Sequence, residues 1–464
     1  MKQDHTMQRK RIAVVGAGIA GLSAAWLLAR RHDVVLYEAN EYLGGHTNTV
    51  DVTLQGRTYP VDTGFLVFNH RTYPNLVALF KLLGVETAAS EMSFSVSVGD
   101  SGRPGLEWSG CSLATVFAQK RNLVSPRFWG MLRDILRFNR EATALARSGD
   151  PRERTLGRFL AEGRYGQAFR EGYLLPMIGA IWSCPTKTML AFPAATLARF
   201  CDNHGLLQIE DRPQWHTVKG GGREYVKKLA AGIPGLRVGQ AVRAVRTLAG
   251  GIEVATDAGT ERYDEAVMAC HSDQSLGLLA AADLDVRELL AAVRYQPNRA
   301  VLHTDTALLP RDRKAWAAWN YLADHEGADQ RPVGVSYLMN RLQPLPFRQP
   351  VVVTLNPPRE PDPASVIAEF DYDHPVFDLR AIAAQQRLAQ VQGRHGLWFC
   401  GAWSGYGFHE DGLKSALAVV NAMGLAAPWQ AEAATLAESR VRAVAARAVP
   451  RLATGAVATS AATN

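Results

Sequence analysis

The sequence predicts an α/β fold of two interleaved domains, on three observations. Near its start a short apolar strand runs into a spaced glycine triplet that opens an apolar helix. Further strand-and-glycine blocks return at 211–270 and 391–425, separated by long inserts at 69–210 and 271–390. The chain's 464 residues also exceed what one hydrophobic core usually holds.

The first element is the strand Ile12–Val15, followed by Gly16, Gly18 and Gly21 in G-x-G-x-x-G spacing. Ile19 and Ala20 start a helix whose Leu22, Ala25, Trp26, Leu28 and Ala29 give a broad apolar face. In a Rossmann-like unit Gly16 permits the tight turn and Gly18 lets backbone reach a pyrophosphate. Gly21 lets helix and strand pack closely. The helix N-terminus then faces the phosphates with its partial positive charge. A second strand, Asp33–Tyr37, ends at Glu38 and Ala39, where a carboxylate meets the ribose hydroxyls and disfavours a 2′-phosphate.

The next elements distinguish NAD from FAD. A simple NAD site needs nothing special after the acidic residue. Here Gly44-Gly45-His46 follows, then a strand pair, Thr47–Leu54 and Thr58–Val61, around Gln55-Gly56-Arg57. The pair leads into VDTGFLVF, with Gly64, Phe65 and Leu66. A third block, HTVKGGGREYVKKLA and LRVGQAV, ends at Val242 and is followed by a hairpin and a returning strand to Cys270. A fourth, LWFCGAWSGYGFHEDGLKSA, reads as a strand, a glycine-rich turn and a helix starting near Asp411 or Gly412.

These four blocks, in this order from Arg11 to about Gly424, resemble the flavin amine oxidase superfamily of monoamine oxidases, protoporphyrinogen oxidase and phytoene desaturases. The resemblance implies FAD, and an amine-oxidase/glutathione-reductase-like two-domain fold: an FAD-binding domain at 1–68, 211–270 and 391–425, and an α+β substrate domain at 69–210 and 271–390. It also implies that the backbones of Gly44 and Gly45 meet the pyrophosphate. His46 replaces the arginine usual there. By the same match Gly64, Phe65 and Leu66 run beside the flavin, and the backbone of Val242 holds the adenine. Gly401, Ala402, Gly412 and Leu413 hold ribityl and pyrimidine. Phe408 stands where the family has an aromatic near the flavin face, or is a core phenylalanine.

The inserts bear on the substrate. Tyr73–Leu83 is predicted helical, stopping at Gly84; Phe94–Val98 alternates like a strand; and Asn122–Arg140 is an amphipathic helix. That helix carries Trp129, Arg127, Arg133, Arg137 and Arg140. A basic amphipathic helix with tryptophan suggests contact with a membrane surface; the plainer reading puts its apolar face on the core and its arginines in water. The apolar stretches 171–185 and 192–194 make a pocket wall or core. Strands are expected at Arg299–Thr304, Val333–Leu338 and Val351–Leu355, with Trp316, Trp319 and Tyr321 between the first two.

The monoamine oxidase pattern has a lysine at the start of the first of these strands. This sequence has none there, which argues against an ordinary amine oxidase. Arg299 is nearest to that place, and His303 is a candidate proton acceptor or a structural histidine. His409 and Glu410, beside the flavin motif, are better placed for catalysis, or fix the turn.

Composition removes other classes. No run of roughly 18 apolar residues occurs, so no spanning helix is expected. The basic start MKQDHTMQRKR lacks a signal-peptide core, so a cytoplasmic protein is expected. Cys111, Cys184, Cys201, Cys270 and Cys400 are far apart, which fits thiols and neither disulfides nor a metal site. A net charge of +7 reads as a solvated surface or an attraction to anionic substrates or membranes. No basic stripe interleaved with aromatics points to nucleic acid. The alanine-rich tail 426–464 is expected to be helical up to Ala448 and disordered beyond Pro450.

The signatures GGHTNTV, FHEDGLKSA and WNY further resemble a bacterial subgroup associated with cyclopropane-fatty-acid-synthase-like methyltransferases. That resemblance implies desaturation of fatty acyl chains on phospholipids, with such a methyltransferase as functional partner. The expected function is therefore FAD-dependent dehydrogenation of a lipophilic substrate. An amine or porphyrinogen oxidase, or a non-catalytic FAD-binding partner of the methyltransferase, are the alternatives.

Overall fold

The computed structural model describes residues 8–100, 103–148, 154–183, 186–208, 210–323 and 333–431. Residues 1–7, Cys184 and nearly all of the alanine-rich tail lie outside them.

A five-stranded, all-parallel sheet forms the framework, in the order Gly235–Arg237, Asp33–Tyr37, Arg11–Val15, Glu265–Met268 and Leu397–Phe399. The central strand Arg11–Val15 is apolar throughout its buried length because a parallel sheet is covered on both faces. Alternate side chains take opposite sides. Ile12, Val14, Val34 and Leu36 pack in the core shared with helix Ile19–Leu28. Ala13, Val15, Val35 and Tyr37 meet the antiparallel meander Val242–Leu248, Gly251–Thr256, Gly259–Tyr263 and helix Leu284–Ala292. The hairpin after the diglycine pairs Thr49–Leu54 with Arg57–Asp62. Gln55 and Gly56 both have positive φ (52° and 74°), the two-residue turn that matches strand twist.

A seven-stranded mixed sheet stands beside it, in the order Val366–Val376, Arg294–His303, Val352–Leu355, Gly334–Leu338, Trp319–Ala323, Phe94–Asp100 and Arg103–Ser109. The three strands expected in the second insert are present within a few residues, and Trp319 and Tyr321 lie on a strand of their own. The longest strand, Val366–Val376, was not foreseen. Its sequence VIAEFDYDHPV mixes acids and a proline into the pattern, which suits its place at the sheet edge.

Helices from the first insert complete the second layer. The amphipathic segment forms Pro126–Arg147, preceded by a short 3-10 turn, Lys120–Val124. Ser125 caps it by accepting from the Phe128 N–H, and Pro126 occupies the first turn, so it starts four residues later than its apolar pattern suggests. Helix Leu175–Trp182 is buried along almost its whole length. The start of the tail is anchored where Trp429 Nε1 donates to Asn75 Oδ1 at 3.2 Å.

Candidate functional site

One cleft of about 830 Å³ runs between the two sheets, and most of the residues singled out from the sequence line it. Its narrow part is backbone. Gly16 has φ +100°, and its N–H donates to the Tyr37 carbonyl at 2.8 Å, which fixes the turn after the first strand. A Cβ on Gly21 would sit 1.8 Å from the Gly16 carbonyl oxygen, so only glycine lets the helix press against the strand end. Gly18 is different: a Cβ there meets no atom within 4 Å and would project into the cleft that Gly18 lines. Gly18 is also the N-cap of helix Ile19–Leu28 without any side-chain cap, which leaves the first N–H groups, including those of Ile19 and Ala20, for a ligand.

The diglycine docks onto this turn. Gly44 N–H donates to the Ala17 carbonyl at 2.9 Å, Gly44 forms a parallel bridge with Gly18, and a Cβ on Gly45 would lie 3.2 Å from Gly18 Cα. Two stretches of bare backbone thus converge on one place, which is what an extended dinucleotide pyrophosphate requires.

At one end, Glu38 and Val242 line the cleft with Ala39. The Glu38 carboxylate accepts from the Ala17 N–H at 2.8 Å and the Asn40 N–H at 2.9 Å, and keeps further lone pairs for ribose hydroxyls. Val242 sits at a bulge in its strand pairing. Arg243 is the one lysine or arginine among the described lining residues, and its guanidinium is bound to Asp257 at 2.7 Å.

His46 takes the arginine's place but does not supply its charge. Its ring lies against Tyr372, His374 and His271, at centroid distances of 5.1, 5.5 and 6.1 Å. Burial, then the neighbouring His374 and His271, hold its pKa well below the usual histidine value. Burial likewise brings His374 down to about 4. At neutral pH the rings of His46 and His374 are neutral hydrogen-bonding groups, which leaves the glycine backbone as the fitting partner for a pyrophosphate.

At the other end, Gly64, Phe65 and Leu66 face the cleft together with Gly401, Ala402, Phe408 and His409. A Cβ on Gly64 would be 2.1 Å from the His46 carbonyl oxygen, so this strand end is packed as closely as the first turn. His409 stacks on Phe65 at 3.7 Å, and its Nε2 lies 2.8 Å from Thr47 Oγ1 and 3.1 Å from the Tyr225 hydroxyl. Burial lowers its pKa to about 3, so it is a neutral ring. Phe408 stacks on Phe200 at 5.3 Å. Beyond them the wall is aromatic and aliphatic, with Met92, Trp182, Trp215, Trp319 and Tyr337. The cleft thus offers a polar, backbone-lined groove of dinucleotide character that opens into an apolar chamber. The residues present fit FAD.

Three of the four catalytic candidates do not reach this chamber. Arg299 lies on the sheet surface, where its guanidinium binds Glu360 at 2.8 Å and Glu369 at 3.0 Å. His303 is fully buried inside the sheet, hydrogen-bonded to Thr354 Oγ1 at 2.8 Å and to the Asp305 N–H. Glu410 turns away from the cleft and accepts from the N–H groups of Asn75 (3.1 Å) and Leu76 (3.0 Å), capping helix Pro74–Leu83. Only His409 remains beside the cleft. Gly412 and Leu413 stand behind the lining residues, in the last helix, which starts at His409, earlier than expected, and the Gly412 N–H donates to the Phe408 carbonyl at 3.0 Å. Gly412 lets that helix cross helix Ile19–Leu28, with a built Cβ only 2.8 Å from Ile19 Cγ2, and Leu413 is fully buried.

The sequence reading missed other lining residues: Phe200 and His204 from the first insert, Tyr295, and Tyr372 and His374 from the unforeseen edge strand. The Tyr295 ring stacks on His271 at 4.3 Å. The one available signal was the concentration of aromatics and histidines in those inserts. Among the described residues no cluster of histidine, cysteine and carboxylate side chains is placed to hold a metal, and no helix is long and apolar enough to cross a membrane. Cys111, Cys201, Cys270 and Cys400 are unpaired thiols.

Comparison with known proteins agrees with this geometry. An L-amino-acid oxidase from Demansia vestigiata is 58% identical, but over 45 residues, 10% of this chain and 9% of that protein. A 15-cis-phytoene desaturase from Synechococcus elongatus is 36% identical over 96 residues, 20% and 19% of the two chains. A carotenoid phi-ring synthase from Streptomyces griseus is 28% identical over 328 residues, 62% of this chain and 58% of that one. The chain therefore spans less than two thirds of these relatives. The fold is shared more widely. A CLA-producing fatty acid isomerase from P. acnes superposes with a TM-score of 0.63 at 16% identity, covering 89% of this chain and 98% of its own. Cyclohexylamine oxidase from Brevibacterium oxydans gives 0.62 at 16%, covering 90% and 100%. The family described as flavin containing amine oxidoreductase matches residues 19–315. The chain belongs to that family, with FAD as its cofactor and the two-domain FAD-binding fold.

Proposed function

We propose that this oxidoreductase dehydrogenates a lipophilic substrate, a fatty acyl chain of a phospholipid, at the apolar end of the cleft. The observation that carries the reading is the chamber wall, where Met92, Trp182, Phe200, Trp215, Trp319 and Tyr337 present ring and methyl surface to the substrate space. Such a wall favours a hydrocarbon through burial of apolar surface and keeps water from the reacting carbons. Relatives named as a fatty acid isomerase and a phytoene desaturase support the same substrate class.

FAD, held by the backbone of Gly16, Gly18, Gly44 and Gly45 and by Glu38, would supply a two-electron acceptor for the hydride removed from the substrate, with oxygen or a quinone-like carrier as the final oxidant. The neighbouring C–H gives its proton to a base or to water, and the electron pair left behind closes the double bond. His409, neutral and held by Thr47 and Tyr225, keeps Phe65 in position and is the one catalytic candidate within the chamber. The resemblance to the methyltransferase-associated subgroup makes such a methyltransferase the partner in this proposal, acting on the same lipids in the cytoplasm.

Amine oxidation is the second reading, favoured by Asp371 and Asp373, which also line the cleft and would attract an ammonium group. Anaerobic stopped-flow mixing separates the readings. Bleaching of the flavin by acyl phospholipid, with none by alkyl or aromatic amines, is expected. Bleaching by amines alone would replace the proposal, and a protein that stays yellow with both would be a non-catalytic flavin carrier.

A further inference from the structure

The helix Pro126–Arg147 has two faces, and among the described residues no other element covers the second one. Phe128, Met131, Phe138, Ala142 and Leu145 are buried against the insert. On the other side Trp129, Arg133, Leu136 and Arg140 follow at four-, three- and four-residue steps, which makes one stripe along the helix. Trp129 is 51% exposed and Leu136 56%. The stripe continues into the preceding turn, where Val124 is 83% exposed and Leu123 50%. Trp129 Nε1 donates to the Leu123 carbonyl at 2.9 Å, so the tip is fixed to the helix.

Among the described residues the exposed charge along this helix and the turn before it is basic, with Lys120, Arg133 and Arg140 in solvent. The two acidic residues between 110 and 148 are both engaged inward: Asp134 accepts from the Gly166 N–H at 2.9 Å and pairs with Arg137, and Glu141 accepts from the Tyr165 hydroxyl at 2.6 Å.

We propose that this face docks on a bilayer carrying anionic phospholipid, with Leu123, Val124, Trp129 and Leu136 entering the interface and the basic side chains meeting headgroup phosphates. Apolar tips ringed by arginine and lysine fit that surface on both counts. A second copy of the chain does not fit, because symmetric pairing would bring the basic side chains Lys120, Arg133 and Arg140 against their own copies. Nucleic acid would match the charge but leave the exposed aliphatic side chains unburied. The inference stands whatever the cleft oxidises, so its failure and that of the substrate proposal are separable.

Vesicle flotation of the flavin-loaded protein tests it. The protein should float with phosphatidylglycerol–phosphatidylcholine vesicles at low salt, remain below with phosphatidylcholine alone, and detach at high salt. A Val124→Ser/Trp129→Ser variant should partition about tenfold more weakly, and Arg133→Gln/Arg140→Gln about as much, because each exchange removes one of the two driving forces. Flavin content should stay unchanged for both, and both should still melt cooperatively. The proposal is overturned if the protein stays out of anionic vesicles, if either folded variant floats as well as the parent, or if duplex DNA binds in their stead.

Discussion

At Gly16–Gly18 and Gly44–Gly45 the cleft wall is bare backbone, whereas around Trp182, Phe200, Trp319 and Tyr337 it is made of side chains from separate elements. In the first wall a side chain would either collide with backbone, as at Gly16 and Gly44, or project into the cleft, as at Gly18. The second fills space by packing, where one large apolar residue can replace another at modest cost. Under the proposed function, recognition of the cofactor therefore rests on a few glycine positions, and recognition of the substrate is spread over many side chains.

Substitutions can break this contrast. Gly21→Leu should abolish folding, because its first side-chain atom collides with the Gly16 carbonyl; expression of soluble, cooperatively melting protein would contradict the packing described. Gly18→Leu should fold and melt normally yet bind FAD at least ~100-fold more weakly, since the side chain meets only cleft space. Titration of stripped protein with FAD, followed by flavin fluorescence, reads this out. At the other end Trp319→Ala should leave flavin content intact and lower kcat/KM for the acyl substrate by about tenfold, because it removes one of several apolar contacts.

Acid should weaken both ends through their histidines. His204 and His374 are held at about 4, and His409 at about 3, chiefly by burial. The folded pKa values lie below the unfolded value of about 6.5. The unfolded chain therefore takes up protons first as pH falls, and stability present above pH ~6.5 is lost between there and the folded values. Melting temperature should drop across this window, and His374→Phe should flatten the drop. The smallest effect belongs to Arg299→Ala, about 0–1 kcal/mol in stability with turnover unchanged, as befits an exposed ion pair.

The same contrast explains what could be read from the sequence. Glycine spacing is local, so the turn at Gly16, the helix after it and the diglycine hairpin were legible, as was the carboxylate at Glu38. The chamber was legible only in part: the stretch 171–185, which carries Trp182, reads as pocket wall or core, but Phe200, Tyr295 and His374 reach the cleft only through long-range strand pairing and helix packing. Glu410 shows the limit most clearly. It stands next to the flavin motif in sequence, yet its side chain points the other way and caps a helix that begins at Pro74. His303 is a similar case, since a β-strand presents alternate residues to opposite faces and the outward one cannot be told without the sheet.

A crystal structure of the flavin-loaded protein with a long-chain acyl ligand would test the division of labour most directly. It should show the pyrophosphate against the backbone of Gly18 and Gly45, and the acyl chain against Trp319 and Tyr337. A pyrophosphate held elsewhere, or an acyl chain outside the aromatic chamber, would contradict the account.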